Sequence, residues 1–469
     1  MSFKGAGVFE KYGVIHFVGI GGIGMSGIAE VLSNLGYEVT GSDLKTTGTT
    51  RRLEELGIKI YRGQSEENIG RARVVVISSA VQPDNPEVVA ARRLSIPVIP
   101  RAEMLAELAR LKYGILIAGS HGKTTTTSLI STILGYGGLD PTIIIGGKLK
   151  GIGSNAKLGQ GEFLVAEADE SDGSFLKLSP TIAVVTNIDR EHMEFFKNME
   201  NLREAFLSFI NKVPFYGVSL ICGEDENLRS LIPHIHRSFL TYGFSESSDI
   251  YAVNIEKGYM STSFDVVCCK EAIGRFSVPL PGSHNMLNSL ASIGVALELK
   301  MDVSAIKEAL KSFSGIQRRF EFKGEAKGIK IYDDYCHHPS EIRATLSAAR
   351  ENLRFLDRKG RLFVIFQPHR YTRTADLMDE FSASFGDSDY LVLLDIYPAG
   401  EKSIEGVTSE ALAGKIRKRG HGNVIYSPGG EEALNQVLSE MKKGDILFTL
   451  GAGDVWKLGE KVLKGLNID

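Results

Sequence analysis

Short apolar runs alternate along the chain with longer stretches whose apolar residues recur at helical spacing. The alternation begins with a run at 14–18 and a helical stretch at 25–35, and it returns in the middle and last thirds of the chain. Apolar runs of this length predict buried strands, and their alternation with helices predicts α/β domains with mostly parallel sheets. Strands are predicted at 14–18, 37–40, 74–77, 113–118, 141–147, 163–166, 181–185, 329–332, 362–366, 390–394 and 445–450, and helices at 25–35, 128–134 and 340–350.

A loop rich in glycine and hydroxyl groups follows the predicted strand at 113–118. Its glycines let backbone N–H groups approach phosphate oxygens, Lys123 offers a cation, and the Thr124 hydroxyl can bind Mg²⁺. The loop is shorter than the usual phosphate loop, because Ile117 stands where the first glycine would be. A plain glycine-rich turn with a chance lysine is the alternative. The pattern predicts a nucleoside triphosphate site at Gly119, Ser120, His121, Gly122, Lys123, Thr124 and Thr125.

An earlier glycine turn, at 19–24, follows the first predicted strand. Asp43 ends the next strand about 20 residues further on, as in a dinucleotide-binding fingerprint. The helix after the turn can equally hold another pyrophosphate, including that of a UDP-sugar. Hydroxyl groups at 78–79 follow a third strand, at the edge where open α/β sheets bind ligands. The turn therefore predicts a diphosphate site, but it does not distinguish NAD from a UDP-sugar as the ligand.

Carboxylates and a histidine follow two strands of the middle segment. Glu167 comes directly after its strand, and the carboxylates of Asp169, Glu170 and Asp172 follow shortly after it in the sequence. Magnesium prefers oxygen ligands and keeps several waters, so Glu167 with one hydroxyl is sufficient. A solvated acidic loop is the alternative for the other three carboxylates. His192 is not a typical magnesium ligand and is equally well interpreted as an exposed loop histidine.

Polar motifs also mark the turns of the last third. Asn285 and Asn288 open a helix-compatible run, where they either read a base edge or serve as turn and cap residues. The adjacent arginines at 318–319 either bind phosphates or are solvated. Two predicted strands run into polar segments at 333–339 and 367–373, the second of which is a compact cationic patch.

Length, charge and cysteine content narrow the class of protein. A chain of 469 residues is too long for one hydrophobic core, so several domains are expected. A formal net charge of -3 gives no support for a nucleic-acid or membrane-surface binder. The four cysteines form no C-x-x-C pair, and no apolar run approaches the ~20 residues of a membrane span. We expect a cytoplasmic protein with reduced thiols and with no nucleic-acid or membrane partner.

Seven motifs, in one order, resemble those of the Mur ligase family. They are Gly-Ile-Gly-Gly-Ile-Gly-Met-Ser-Gly, Gly-Ser-His-Gly-Lys-Thr-Thr-Thr-Thr, Glu-Ala-Asp-Glu-Ser-Asp, His-Asn-x-x-Asn, Arg-Arg-Phe, Asp-Asp-Tyr-x-His-His-Pro and Gln-Pro-His-Arg-Tyr-Thr-Arg. The resemblance implies an α/β protein of three domains. These are a Rossmann-like UDP-binding domain at 1–111, a central P-loop ATPase-like domain with a mostly parallel sheet at 112–315, and a C-terminal Rossmann-like α/β domain at 316–469.

The resemblance also implies roles for single residues. The UDP-sugar would be bound at Gly21, Gly22, Ile23, Gly24, Met25, Ser26, Ser42, Asp43, Ser78, Ser79, Ala80 and Asn155. Asn285 and Asn288 would lie at the ATP base, Arg319 at its phosphates and Asp334 at its ribose. The metal would be shared by Thr124, Glu167 and His192, and the amino acid would be bound by Tyr335, His337, Arg370 and Arg373. Catalysis would depend on Lys123, Glu167, His192, His337, Arg370 and Arg373.

The implied reaction is ATP- and Mg²⁺-dependent ligation of L-alanine to the carboxylate of UDP-N-acetylmuramate, through an acyl phosphate, in peptidoglycan precursor synthesis. One alternative in the same family is a recycling enzyme that joins a preformed tripeptide to UDP-N-acetylmuramate. Two alternatives of other classes are an NAD-dependent oxidoreductase, based on the turn at 19–24 and Asp43, and an ATPase switch that senses a UDP-sugar. A monomer or a weak homodimer is expected.

Overall fold

The computed structural model of the protein describes residues 13–78, 80–110, 112–149, 154–356 and 359–466. Ser79 and the side chain of Asn155 therefore lie outside the described part of the chain. The strands of this described part form three sheets. Two compact units contain them: unit 1 is Met1–Val253, Asp265–Phe276 and Leu287–Phe313, and unit 2 is Asn254–Phe264, Ser277–Met286 and Ser314–Asp469.

The first sheet of unit 1 has five parallel strands. Its elements are β1 (Val14–Val18), α1 (Ile23–Asn34), β2 (Val39–Asp43), α2 (Gly48–Glu55), β3 (Lys59–Arg62), β4 (Ala72–Ile77), α3 (Pro86–Arg93), β5 (Val98–Pro100) and α4 (Arg101–Arg110). The strand order is β3-β2-β1-β4-β5. The order reverses between β1 and β4, and open α/β sheets bind ligands in the crevice at the carboxyl ends of such a strand pair.

The second sheet has ten strands. Its segment contains β6 (Tyr113–Ala118), α5 (Lys123–Tyr136), β7 (Thr142–Leu149), β8 (Ser154–Lys157), β9 (Phe163–Glu167), β10 (Ile182–Val185), α6 (Met193–Phe196), α7 (Met199–Ile210), β11 (Val218–Cys222), α8 (Glu226–Leu231), β12 (Phe239–Gly243), β13 (Ile250–Gly258), β14 (Ser261–Cys268), β15 (Glu271–Val278), α9 (Ser283–Glu298) and α10 (Val303–Lys311). The order is β15-β14-β13-β12-β11-β10-β6-β9-β7-β8. Strand β6 is parallel to both of its neighbours, β9 and β10. The loop after β6 is therefore flanked by the carboxyl ends of both.

The third sheet lies in unit 2. Its elements are β16 (Glu321–Ala326), β17 (Ile329–Asp334), α11 (Pro339–Leu356), β18 (Leu362–Phe366), α12 (Tyr371–Asp376), α13 (Met378–Ser382), β19 (Tyr390–Leu393), α14 (Ser409–Lys418), β20 (Val424–Tyr426), α15 (Glu431–Glu440), β21 (Ile446–Leu450) and α16 (Trp456–Leu466). The order is β16-β17-β21-β18-β19-β20, parallel except for β16. Two apolar clusters, one of which includes Tyr332 stacked on Phe448, supply the core.

The predicted α/β architecture is confirmed. The strands predicted at 14–18 and 362–366 coincide with β1 and β18. Helix α5 starts at Lys123, ahead of the predicted 128–134, and takes in four consecutive threonines. Threonine is a poor helix former, but Thr126 and Thr127 are fully buried, so tertiary packing overrides their propensity. Among the described residues, no helix combines the length and apolar character that crossing a membrane requires.

A buried polar cluster joins the first sheet to α3. Ser42 Oγ donates to Glu87 Oε2 at 2.6 Å, and Asn68 Nδ2 donates to Glu87 Oε1 at 2.6 Å. His16 Nε2 is 3.7 Å from the same Glu87 oxygen. Burial by itself raises the pKa of Glu87, but the hydrogen bonds and the charge of His16 outweigh burial and hold that pKa below 4.5. Glu87 is therefore an ionised carboxylate at neutral pH.

Glu87→Gln is expected to lower stability at neutral pH by about 1 to 3 kcal/mol, since it removes charge-assisted hydrogen bonds. The folded-state pKa lies below the unfolded value of 4.5. The stabilisation by Glu87 is therefore complete above pH 4.5 and is lost as the pH falls through the folded-state pKa. Urea unfolding should show the gap between variant and parent narrowing below pH 4.5. A gap that stays constant would contradict the assignment, and Glu66→Gln, in an exposed ion pair with Arg93, is the control.

Candidate functional site

The loop between β6 and α5 requires glycine at both of its glycine positions. Gly119 has a φ of 131° and Gly122 a φ of 82°. A Cβ at Gly119 would lie 2.1 Å from Thr186 Oγ1, and one at Gly122 would lie 2.6 Å from Asn288 Oδ1. The loop is packed against neighbouring side chains, so any larger residue there would displace it.

The segment after β10 holds this loop in place. Thr186 Oγ1 donates to the carbonyl of His121 at 2.5 Å, and Asn187 Oδ1 accepts from the His121 N–H at 2.8 Å. Asp189 N–H donates to Ser120 Oγ at 2.8 Å, and an Asp189 carboxylate oxygen is 3.0 Å from His121 Nε2. These contacts fix the backbone of the loop. The sequence interpretation missed the role of residues 186–189; their only signal was their position directly after a strand.

Lys123 lies inside the loop and is paired with a buried carboxylate. Its Nζ is 2.5 Å from the Gly119 carbonyl and 3.0 and 2.9 Å from the two carboxylate oxygens of Glu170. Burial opposes its charge, but the carboxylates of Glu170, Asp169 and Glu191 outweigh burial and hold the pKa of Lys123 above its usual range. Burial raises the pKa of Glu170 to about 7, against the pull of Lys123. Interpreting Glu170 as part of a solvated acidic loop is wrong, because its side chain is only 2% exposed.

Glu170 also belongs to a group of side chains that can act as metal ligands. Glu170, Glu191 and His192 place one ligand atom each within 4.8 Å of one another. His192 Nε2 lies 4.0 Å from Glu170 Oε1 and 3.8 Å from Glu191 Oε2. Two carboxylates supply the hard oxygen ligands that magnesium prefers, and the predicted role of the Thr124 hydroxyl as a further ligand stays a prediction. The donor set therefore fits a divalent cation of this kind.

Glu167 was the first choice for a metal ligand from the sequence. It ends β9 in register with Ile117 of β6, next to the start of the phosphate loop. Its Oε1 accepts from the Gly146 N–H at 2.7 Å. Its role at the metal stays a prediction, whereas the group that includes Glu170 and Glu191 was not predicted.

Asn288 packs against the phosphate loop from α9. Its Oδ1 accepts from Thr126 Oγ1 at 3.2 Å, and the residue is 6% exposed. Asn285, in unit 2, donates through Nδ2 to the Pro281 carbonyl at 2.8 Å and is 5% exposed. Both residues lie inside α9, where their amides make packing and hydrogen-bond contacts. Contact of either amide with a base stays a prediction.

The first glycine turn meets Asp43 at the carboxyl edge of the first sheet. Asp43 accepts from the Gly21 N–H at 2.9 Å and from the Lys45 N–H at 3.0 Å. Gly22 and Ile23 are exposed, and Ser78 follows β4 at the same edge. The structure thus brings together the turn, Asp43 and Ser78, as the crevice rule predicts.

Three residues predicted at this site face the interior instead. Ser42 is fully buried with its hydroxyl donating to Glu87, and Met25 and Ser26 are each 2% exposed. The surface of Ser42 is completely covered by protein, so its side chain is not accessible to a ligand in this conformation. Its hydrogen bond to Glu87 stabilises β2 from the protein interior.

Unit 2 contains a second group of polar side chains, after β17. Asp334 accepts from the N–H groups of Phe320 and Cys336, at 2.8 Å each, and burial raises its pKa to about 6. Arg318 pairs with Asp333 at 2.9 Å and donates to the Gly451 carbonyl at 2.6 Å, so it is a structural residue. This finding rejects the interpretation of Arg318 as solvated.

The predicted amino-acid residues gather around His369. The His337 and His369 rings have centroids 6.0 Å apart, and Arg373 Nη1 is 3.4 Å from His369 Nδ1. Arg370 Nε is 3.9 Å from Glu401 Oε1. Burial, reinforced by Arg373 and Arg370, lowers the pKa of His369 to about 4, so this histidine is neutral. The sequence interpretation did not assign His369 or Glu401 to the site.

Arg319 and Tyr335 lie next to one another in this group. The Arg319 guanidinium is 5.3 Å from the centre of the Tyr335 ring, and its Nη1 is 3.5 Å from Glu341 Oε1. The arginine side chain keeps 28% exposure, so it offers a cation at the surface of unit 2.

The protein has a phosphate loop with a buried lysine, and a group of carboxylates and a histidine lies beside that loop. It also has a separate cationic site. These features are typical of the class of nucleotide-binding α/β enzymes. Three family profiles match the chain: "Mur ligase family, catalytic domain" at 14–113, "Mur ligase middle domain" at 117–296, and "Mur ligase, glutamate ligase domain" at 318–453. The chain belongs to the Mur ligase family. It has the family's three-domain α/β fold, and the resemblance stated from the motifs is confirmed.

Relatives cover nearly the entire chain. The UDP-N-acetylmuramate--L-alanine ligase of Geotalea uraniireducens is 54% identical over 98% of this chain and 100% of its own. That of Geobacter sulfurreducens is 55% identical, with 98% and 99% covered. The crystal structure of UDP-N-acetylmuramate-alanine ligase from Thermotoga maritima has a TM-score of 0.80 at 27% identity and covers 97% of this chain and 99% of its own.

Proposed function

We propose that this ATP-dependent ligase joins L-alanine to the carboxylate of UDP-N-acetylmuramate, giving UDP-N-acetylmuramoyl-L-alanine, ADP and phosphate. The observation that carries the proposal is the buried ion pair between Lys123 of the phosphate loop and Glu170. The chain that contains this pair is 54% identical, over 98% of its length, to such a ligase. Lysine in this position neutralises the outer phosphates of a nucleotide, as activation of a carboxylate by phosphoryl transfer requires. The product belongs to peptidoglycan precursor synthesis.

In the first step the muramoyl carboxylate attacks the γ-phosphate of ATP, and ADP leaves. Lys123 neutralises charge on the transferred group, and the backbone N–H groups at the start of α5, of Gly122, Lys123 and Thr124, bind its oxygens. Bound Mg²⁺ would offset the remaining phosphate charge, and Thr124, Glu170, Glu191 and His192, with Glu167 as a further predicted ligand, are the residues that would hold it. The product of this step is an acyl phosphate.

In the second step the amine of L-alanine displaces phosphate through a tetrahedral intermediate. Arg370 and Arg373 are proposed to bind the alanine carboxylate and the phosphate. His337 is the proposed base for the ammonium group. Its Nδ1 is 3.1 Å from the Tyr335 carbonyl, so a proton on Nδ1 is held there and the lone pair is on Nε2.

The activity is tested by phosphate release with UDP-N-acetylmuramate and ATP, adding L-alanine, glycine, L-serine or a tripeptide in turn. We expect release to depend on L-alanine and UDP-N-acetylmuramate together. Turnover without an amino acid would indicate the sensing ATPase, and turnover with the tripeptide alone would indicate the recycling ligase. Reduction or oxidation of a nicotinamide without ATP hydrolysis would overturn the ligase assignment.

The remaining organisation is also proposed from the sequence. The first family match ends at residue 113 and the second begins at 117, and the second ends at 296 and the third begins at 318, which supports domain limits of 1–111, 112–315 and 316–469. A cytoplasmic location and a monomer or weak homodimer stay predictions.

A further inference from the structure

Glu341 lies in the first turn of α11, next to the histidine that is proposed as the base. Its Oε2 accepts from the His337 N–H at 3.0 Å and lies 3.4 Å from His337 Nδ1. The Glu341 side chain is 11% exposed and that of His337 is 18% exposed. The carboxylate and the imidazole are thus in contact within unit 2, at a position that is largely shielded from water.

Helix capping explains one part of this arrangement. Glu341 is the third residue of α11, and its Oε2 also accepts from the His338 N–H at 3.4 Å. A glutamate or a glutamine at the third helical position reaches back to the N–H groups before the helix, as in a capping box. Capping requires an oxygen acceptor but no charge. It does not account for the contact between the carboxylate and the imidazole Nδ1.

Several positive charges surround the His337 ring. The Tyr335 ring is 5.5 Å from it, and the Arg319 guanidinium is 5.3 Å from the centre of the Tyr335 ring. After β18, the neutral His369 ring is 6.0 Å away, and Arg373 Nη1 lies 3.4 Å from His369 Nδ1. The N-terminus of α11 adds partial positive charge. Further charged groups on the same segments are Arg318, Asp334, Arg370 and, from the loop after β19, Glu401. The cations disfavour an imidazolium ion at this position.

Glu341 supplies a negative charge in direct contact with the ring. Its Oε2 faces His337, whereas its Oε1 is 3.5 Å from Arg319 Nη1. A carboxylate on the Nδ1 side of a histidine fixes the ring and stabilises the imidazolium that forms when Nε2 takes a proton. Because Nδ1 donates its proton to the Tyr335 carbonyl at 3.1 Å, Nε2 is the nitrogen that accepts.

We infer that Glu341 is a positioning residue for the ligation reaction, which orients the His337 ring and makes Nε2 a stronger base for the alanine ammonium group. The inference rests on the proposed function, in which His337 takes this proton. The proton passes from the ammonium nitrogen to Nε2, and the lone pair that it leaves on nitrogen forms the bond to the acyl carbon as phosphate departs. Glu341 touches neither substrate in this step and acts through His337.

The pH dependence of kcat, measured on the full chain with saturating substrates, tests the inference. Glu341→Gln keeps an oxygen that caps α11 but removes the charge, so the thermal unfolding midpoint should change little. Its kcat should fall about 10- to 100-fold, since a weaker base transfers the proton less readily. The acidic limb of the profile should move to lower pH by about one unit, because a carboxylate in contact favours the protonated histidine and its loss disfavours it. Glu341→Asp, which retains the charge, should keep the limb near that of the parent.

A double-mutant cycle shows whether Glu341 acts through His337. In the His337→Ala background, Glu341→Gln should change kcat by less than about twofold. Equal losses in both backgrounds, or a Glu341→Gln profile whose acidic limb does not move, would overturn the inference and leave Glu341 as a helix-capping residue. Glu410→Gln, at an exposed position in the first turn of α14 in the same unit, is the matched control and should change neither kcat nor its pH profile.

Failure of the proposed function has a different signature. If the parent protein shows no phosphate release that depends on L-alanine, the proposed function itself is wrong. If the parent ligates L-alanine and His337→Ala retains the parent's kcat, the base is another residue and the inference fails with that assignment. If His337→Ala is impaired and Glu341→Gln is not, only the role of Glu341 is wrong.

Discussion

Lys123→Met is expected to reduce ligation by about three orders of magnitude or more while UDP-N-acetylmuramate binding is retained. The loss follows from removing the cation that neutralises the transferred phosphoryl group, a contribution of this size in related phosphoryl transfers. The methionine keeps most of the side-chain volume, so packing between the loop and Glu170 is largely preserved. Product formation is measured by mass spectrometry and binding by calorimetry.

Removing one partner of a buried ion pair also affects stability, by about 3 to 5 kcal/mol. The double variant Lys123→Met with Glu170→Gln removes the uncompensated carboxylate and should recover part of this stability without recovering activity. Lys311→Met, in an exposed pair with Glu308, is the control for loss of a surface lysine. Equal loss of UDP-N-acetylmuramate binding and ligation in the folded variant would count against separate sites for the two nucleotides.

Gly119→Ala is the second large expected effect. The added Cβ would lie 2.1 Å from Thr186 Oγ1 and 3.0 Å from the Thr186 amide nitrogen, on a backbone with a φ of 131°. Overpacking and backbone strain together are expected to cost about 2 to 5 kcal/mol and to displace the loop from its hydrogen bonds with Asn187 and Asp189. We expect a lower unfolding midpoint and ATP binding too weak to detect by calorimetry.

Shortening the side chain of Thr186, which the added Cβ would contact, distinguishes the effect of the steric clash from that of the backbone strain. Thr186→Ala added to Gly119→Ala removes the hydroxyl clash, but it also removes the hydrogen bond to the His121 carbonyl and leaves the strained φ and the close amide nitrogens, so it should restore only part of the stability. Gly48→Ala, at the exposed start of α2 where an added Cβ meets nothing within 4 Å, should be neutral or slightly stabilising. A Gly119→Ala protein that binds ATP like the parent would show that the loop tolerates this displacement.

Much of the fold was predictable because its signals are local. The apolar runs that became β1, β6 and β18 are short, continuous and bounded by turn residues, as buried parallel strands are. Element limits were less predictable. Strand β2 runs through Gly41 and Ser42 to Asp43, beyond the predicted limit of residue 40, because pairing with β1 and β3 extends it.

The candidate site was predictable where a motif carries its own geometry, as in the phosphate loop. It was not predictable where contacts join distant segments. The burial of Glu170 depends on Lys123, 47 residues away, and the contact of Arg101 with Asp169 spans 68 residues. Nothing in the local sequence separates such carboxylates from solvated ones.

The resting contacts of Lys123 have a consequence for ligand choice. Its ammonium group is already surrounded by the carbonyls of Gly119 and Ser120 and by both oxygens of Glu170. An incoming phosphate therefore competes with these internal acceptors for the ammonium group. A nucleoside triphosphate also binds the N–H groups at the start of α5 and a cation, and these additional contacts offset the loss of the internal ones.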